Sequence, residues 1–151
     1  MRFTTKTEYG LVCLLYMAKS GSQGPITIKE IVQDEHYSQT FTEKILQKLR
    51  AAEIVTSHQG NQGGYALARP ASQITLKEVI DALEGQTFEV FCEPDVRDGI
   101  ICTHHTACNV KPIWNKTKEL LDSFFGSITL EMLMNHEINL PAGNNGANHG
   151  N

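Results

Sequence analysis

Three cysteines, Cys92, Cys102 and Cys108, fall within one short stretch with the spacing Cys-x9-Cys-x5-Cys; His104 and His105 lie between the last two, and Asp98 is nearby. Thiolates at such positions bind metal or do redox chemistry. Structural zinc sites usually offer cysteine pairs two to four residues apart. No such pair occurs here. Iron–sulfur clusters accept thiolates from irregular loops at wider spacing, so a cluster fits the pattern better. It needs a fourth ligand, for which His104, His105 and Asp98 are the nearby candidates. Zinc or plain free thiols remain open alternatives. A thiol redox enzyme using Cys102 or Cys108 with His104 or His105 as base is a further rival, unsupported by any Cys-x-x-Cys pair. The fourth cysteine, Cys13, sits in an apolar helical run and reads as a small buried hydrophobe.

The chain has 151 residues, 40% hydrophobic and 20% charged, which suits a compact domain with an appended element. It has no apolar run long enough for a membrane span. Its start, Met1-Arg2-Phe3-Thr4-Thr5-Lys6, lacks the apolar core of a secretory signal. A cytoplasmic location is expected, and with it reduced thiols rather than disulfides. The net charge of −4 is unevenly spread. Residues 1–70 carry a net +2 and residues 71–151 a net −6. A basic surface on an acidic molecule is compatible with DNA, because the local field at the contact decides.

The elements that must position these groups can be read from periodicity and caps. Thr5 and Glu8 have the spacing of a capping box, and Tyr9, Val12, Cys13, Tyr16 and Met17 recur at helical intervals to about Ser20. Thr27 and Glu30 repeat the capping signal before a short second helix. After a turn at His36-Tyr37, Ser38 and Thr40 are both good caps for a third. Its inner side carries Phe41, Ile45, Leu46 and Leu49; its outer side carries Gln39, Glu43, Lys44, Gln47, Lys48 and Arg50. Two short helices, the second polar-faced, joined by a brief turn form a helix-turn-helix. Two β-prone runs, Ile54–His58 and Tyr65–Ala68, flank Gly60-Asn61-Gln62-Gly63-Gly64 and read as a hairpin, or wing. Thr75 with Glu78 caps a fourth helix that Gly85 closes. Pro112 suits the first turn of a long helix through Phe125, and Thr129 opens a short one, Leu130 to Met134.

The expected fold is therefore mainly α, a winged helix-turn-helix with a small β-hairpin wing followed by a long C-terminal helix. Residues 1–85 form the DNA-binding domain, 86–110 the cysteine loop and 111–136 the long helix with the short last one. Residues 137–151, rich in Gly and Asn, are expected to be a disordered tail.

Several stretches in this order resemble one family, the winged-helix repressors that include the iron–sulfur cluster assembly regulator and the nitric-oxide-sensitive repressor. They are Met1–Lys6, Lys48-Leu49-Arg50-Ala51-Ala52, Gly60–Pro70, Ile74–Ile80, Ala82-Leu83-Glu84-Gly85, the three cysteines and Ile128-Thr129-Leu130. The resemblance covers residues 1 to about 136. It implies a homodimer in which the helix from Pro112 to Phe125 packs on its mate and each cluster lies close to the partner's DNA-binding domain. It also implies that Cys92, Cys102 and Cys108 bind an iron–sulfur cluster with a variable fourth ligand. Some members use a histidine three residues beyond the last cysteine; here that position is Lys111, which cannot serve. Others use an acidic residue in the partner's first helix, which corresponds to Glu8. Glu8 thus has two readings, helix cap and cluster ligand, with His104 or His105 as rivals. The nine-residue first gap is longer than in the better-known members, which leaves [2Fe-2S] or [4Fe-4S] open. Gln59 stands before Gly60 where many members carry an arginine.

As a DNA-binding protein, the chain should position itself through phosphates and read base edges separately. Arg2, Lys6, Lys44 and Lys48 are candidate phosphate contacts; Ser38, Gln39, Thr40 and Glu43 lie at the start of the recognition helix, and His58 and Gln59 on the wing. For Lys44 and Lys48 the plain alternative is a solvated helix surface. A two-fold dimer implies a roughly palindromic double-stranded operator. Cluster loss would break a link between subunits and change operator affinity about 5–150-fold.

Overall fold

The computed structural model describes residues 4–20, 24–60, 63–86 and 108–138. Six helices run in chain order: α1 (Thr5–Ser20), α2 (Ile28–Glu35), α3 (Gln39–Ala51), α4 (Leu76–Glu84), α5 (Lys111–Gly126) and α6 (Leu130–Met134). Strands β1 (Val55–His58) and β2 (Gly64–Leu67) lie between α3 and α4. They pair antiparallel, with Val55 opposite Leu67 and His58 opposite Gly64.

The caps lie largely where side-chain chemistry requires them. Thr27 and Thr75 are N-caps in complete capping boxes with Glu30 and Glu78, and Thr129 accepts the Met132 N–H to start α6. The start of α1 differs from expectation. Thr4, not Thr5, precedes the helix, and its hydroxyl accepts the Lys6 N–H at 3.3 Å. Glu84, from the far end of α4, then receives the Thr4 N–H at 3.0 Å, the Thr4 hydroxyl at 2.5 Å and the Thr7 hydroxyl at 2.8 Å on a single oxygen. A distant carboxylate thus takes the anchoring role that Glu8 would have had in a local box.

α2 ends at His36, whose φ of 57° is left-handed, and the chain turns through Tyr37 and Ser38 into α3. That reversal fixes the helix-turn-helix. The Tyr9 ring of α1 braces the turn by stacking on Tyr37 at 3.8 Å with an interplanar angle of 5°. The same ring meets Phe41 of α3 edge-on at 5.1 Å. The edge-on contact suits the aromatic quadrupole.

The hairpin is anchored to the body by Ile26, which exchanges backbone hydrogen bonds with Tyr65 at 2.7 and 2.8 Å. The approach is so close that a Cβ on Gly64 would lie 2.5 Å from the Ile26 carbonyl oxygen. Gly60 opens the wing turn with φ +119°, a conformation that side chains resist.

One core joins these elements. Cys13, Leu14 and Met17 of α1, Ile31 of α2, Ile45, Leu46 and Leu49 of α3, and Val79 and Leu83 of α4 pack around Ile54, Val55 and Ile74. Leu130 of α6 is fully buried in the same cluster. Its segment is fastened by two backbone bonds, Leu76 N–H to the Ile128 carbonyl (2.8 Å) and Leu130 N–H to the Ile74 carbonyl (3.0 Å). α5 contributes no buried residue. Lys77 of α4 reaches Asp122 of α5 at 3.5 Å. No helix of the described residues is long and apolar enough to cross a membrane.

Candidate nucleic-acid interface and cysteine site

The recognition element is α3. Thr42, Ile45, Leu46 and Leu49 are buried on its inner side. Thr42 is a buried polar residue that periodicity did not reveal; it is accommodated because its hydroxyl donates back to the Ser38 carbonyl at 3.0 Å. The opposite side presents Ser38, Gln39, Thr40 and Lys44 to solvent. Ser38 is the N-cap, yet its side chain makes no capping bond. Ser38 is exposed at the N-terminus of α3, a position where an anionic phosphate is favoured. The two candidate base readers hold each other: Gln39 Nε2 donates to Glu43 Oε1 at 3.0 Å. Reading cytosine through Glu43 would exchange that bond for one from the base. Lys44 forms no hydrogen bond or ion pair with a described residue. Lys48 behaves differently, donating from Nζ to the Leu83 carbonyl at 3.2 Å.

On the wing, His58 and Gln59 are exposed at the end of β1. The His58 ring shares a 3.3 Å hydrogen bond with the Thr56 hydroxyl, and Arg50 of α3 braces the hairpin through Ser57 at 3.3 Å. Lys6, half-buried, lies near Glu84, whose charge it helps to stabilise. Arg2 lies outside the described residues.

Of the proposed cysteine site, Cys108 is described, while Cys92, Cys102, His104, His105 and Asp98 lie outside the described residues. Cys108 is half-buried, and its sulfur accepts the Lys111 N–H at 3.4 Å at the start of α5. Glu8 is exposed on the first turn of α1, and its side chain makes no hydrogen bond or ion pair with any described residue. Burial raises the Tyr37 phenol most, then Glu35, Cys13 and Tyr9, and the Glu8 carboxylate adds the last contribution. Both groups suit an iron–sulfur centre: a sulfur with an N–H donor and a spare oxygen ligand. Cys13 is fully buried, and burial first, then Glu35, pushes its thiol up to about 12. It is chemically quiet, as its place in the apolar run implied.

Sequence reading missed three contacts that build the site: the Thr4–Thr7–Glu84 knot, the Lys48–Leu83 bond and the Tyr9–Tyr37 stack. Each joins residues far apart in the chain.

A helix-turn-helix with a paired wing and an outward polar recognition helix defines a winged-helix DNA-binding regulator of transcription. The family model described as "Rrf2: Iron-dependent Transcriptional regulator" matches residues 3–136. The chain belongs to the Rrf2 family. It is 34% identical over 134 residues to Protein rrf2 of Nitratidesulfovibrio vulgaris, covering 89% of this chain and 87% of that protein. Among solved structures it is similar to CymR, the global cysteine regulator of B. subtilis (TM-score 0.72, 27% identity, 90% of this chain and 98% of that one). It is also similar to T. potens IscR (TM-score 0.68, 27% identity, 95% and 94%).

Proposed function

We propose that this regulator works in the cytoplasm as a homodimer whose operator affinity is set by an iron–sulfur cluster. Cys92, Cys102 and Cys108 of one subunit and Glu8 of the partner subunit would hold it. The observation that carries the reading is the carboxylate of Glu8, exposed on the first turn of α1 and unused by the described structure. The donor set agrees: Cys108 offers a sulfur that already accepts a backbone N–H, and the family is described as iron-dependent. Such a cluster, when bound, supplies reactivity toward oxidants and nitric oxide and a dependence on iron supply.

The rest of the reading concerns the chain's own residues. α5 leaves Ile113 60% and Leu120 58% exposed, with Trp114 and Phe124 also open. An apolar stripe of this kind on a helix suits a second copy of the chain. The dimer would place two α3 helices in successive major grooves of a roughly palindromic operator. There Gln39, Thr40 and Glu43 face base edges. Ser38, Lys44, Lys6 and Arg2 meet phosphates, and His58 and Gln59 carry the wing toward the minor groove.

The test is protein purified without oxygen. Charge-transfer absorption with stoichiometric iron and sulfide is expected. It should be lost in Cys92→Ala, Cys102→Ala and Cys108→Ala and kept in Cys13→Ala. In Glu8→Gln the spectrum should shift or the cluster become labile. A cluster that needs Cys13 and not Cys102 would overturn the assignment. The likeness to a global cysteine regulator supports a second reading, in which the same thiols sense oxidants, or hold zinc, without a cluster. Colourless protein whose DNA affinity still responds to oxidants through these cysteines would decide for it.

A further inference from the structure

Lys48 is an exposed residue of the recognition helix, yet its ammonium donates to a carbonyl at the end of another helix. α4 stops at Glu84, and its last carbonyls lack helical donors. Gly85 supplies one backbone donor, to the Asp81 carbonyl at 3.2 Å. α4 itself has no basic residue in its last turn, and that turn also carries the Glu84 carboxylate. Negative potential therefore collects there. Lys6 lies near the Glu84 carboxylate, and Lys48 brings a second cation, from α3, to the backbone itself, with Nζ 3.2 Å from the Leu83 carbonyl oxygen.

The acceptor is held firmly. The Leu83 side chain is 1% exposed and packs against α1 at Gly10, where a Cβ would lie 2.3 Å from Leu83 Cδ1 and 3.6 Å from Ile45 Cγ2 of α3. The adjoining Glu84 receives Thr7 of α1 and Thr4 just before it. The last turn of α4 is thus a joint where α1 and α3 are both fastened. Leverage makes the joint matter for recognition. Gln39 lies nine residues up α3 from Lys48, roughly 13 Å along the axis. A tilt of about 10° at the joint would carry the reading end about 2 Å, more than base-edge hydrogen bonds tolerate.

We propose that Lys48 is a positioning residue for operator recognition, a strut between α3 and the end of α4, and not a phosphate contact. The inference rests on the winged-helix class and is independent of the cluster.

The experiment compares Lys48→Met with Lys44→Met, one turn apart on α3. The probes are a duplex selected by the wild-type chain from a random library and a random-sequence duplex of equal length. Each Kd is measured across a series of salt concentrations. Lys44→Met should weaken both duplexes alike and reduce the salt slope by about 0.9, one lost phosphate contact. Lys48→Met should weaken the selected duplex about 5- to 20-fold, the scale of one charge-assisted hydrogen bond. The random duplex and the salt slope should hardly change. Lys48→Arg, which still donates to a carbonyl, should restore most of the ratio between the two duplexes. A structural role alone would lower Tm and leave that ratio untouched. A slope reduced by about one unit in Lys48→Met, with parallel loss on both duplexes, would make Lys48 a phosphate contact and overturn the proposal. An unchanged ratio would overturn it equally. Repeating the comparison in a Cys102→Ala background separates the role of Lys48 from the presence of a cluster.

Discussion

Leu130→Ala is a sharp test of how this molecule is held together. Leu130 belongs to a five-residue helix after α5, so its sequence position suggests a peripheral element. The structure buries it completely among Cys13, Leu14 and Ile74. Truncation removes the transfer free energy of the lost groups and leaves a cavity, together about 2.7–5 kcal/mol. The cost is capped by the free energy that docks α6, since beyond it the helix would simply detach. That docking includes the Thr129 cap and the Ile74 and Ile128 backbone bonds, so a loss of about 3 kcal/mol is expected. Against a total of roughly 5–15 kcal/mol this is a large share, and Tm should fall by about 6–12 °C. Urea unfolding followed by far-UV circular dichroism, at fixed protein concentration, gives the value. Glu131→Ala, exposed on the same helix, is the control and should cost less than about 0.5 kcal/mol. A loss below about 1 kcal/mol in Leu130→Ala with an unchanged m-value would refute the reasoning. It would mean that α6 does not complete the core and that residues 1–85 are a self-sufficient domain.

Two further predictions follow from local geometry. His36 holds a left-handed φ of 57° between α2 and α3, so His36→Gly should stabilise the fold by about 0.5–1 kcal/mol, read as a higher urea midpoint. Burial works against the charge of Glu84, but the Thr4 and Thr7 hydrogen bonds outweigh it and hold its carboxyl below the usual range. Its folded value lies below its unfolded one, so its contribution is complete above the unfolded value and disappears as pH falls through the folded one. The stability lost between neutral pH and the bottom of the carboxylate range should therefore be smaller in Glu84→Gln than in wild type. An equal or greater loss in the variant would contradict the assignment.

Much of the architecture was legible because it is written in local chemistry. Thr27 with Glu30 and Thr75 with Glu78 mark helix starts within four residues. Gly60 and Gly64 mark a wing whose backbone needs them. Glu8 misled because a capping box is also local: Thr5 and Glu8 have the right spacing, but Glu84 competes from the far end of α4 and wins with three donors on one oxygen. The site was less legible for the same reason. Lys48 looks like any outward cation on an amphipathic helix until α4 is placed with its last carbonyls beside it. Tyr9 and Phe41 read as ordinary core aromatics, and nothing in their spacing indicates that Tyr37 closes a stack across the turn. Cys92 and Cys102 lie outside the described residues, and their type, their spacing and the family resemblance carry the proposal made for them.

The chain returns to the body after α5, and that return sets the cost of changing the stretch before it. Because Ile128 and Leu130 are sewn back beside Ile74, the stretch between Gly85 and Val110 is an insertion with both ends rooted in one scaffold. On the far root, Lys118 of α5 donates to Gln86 at 3.0 Å. Closing a longer insertion on fixed roots costs little, about 0.6 kcal/mol for each doubling in length. The spacing between Cys92 and Cys102 can therefore drift under selection for chemistry while the scaffold pays almost nothing. The cysteine spacing can thus differ between related chains while the DNA-reading surface stays as it was.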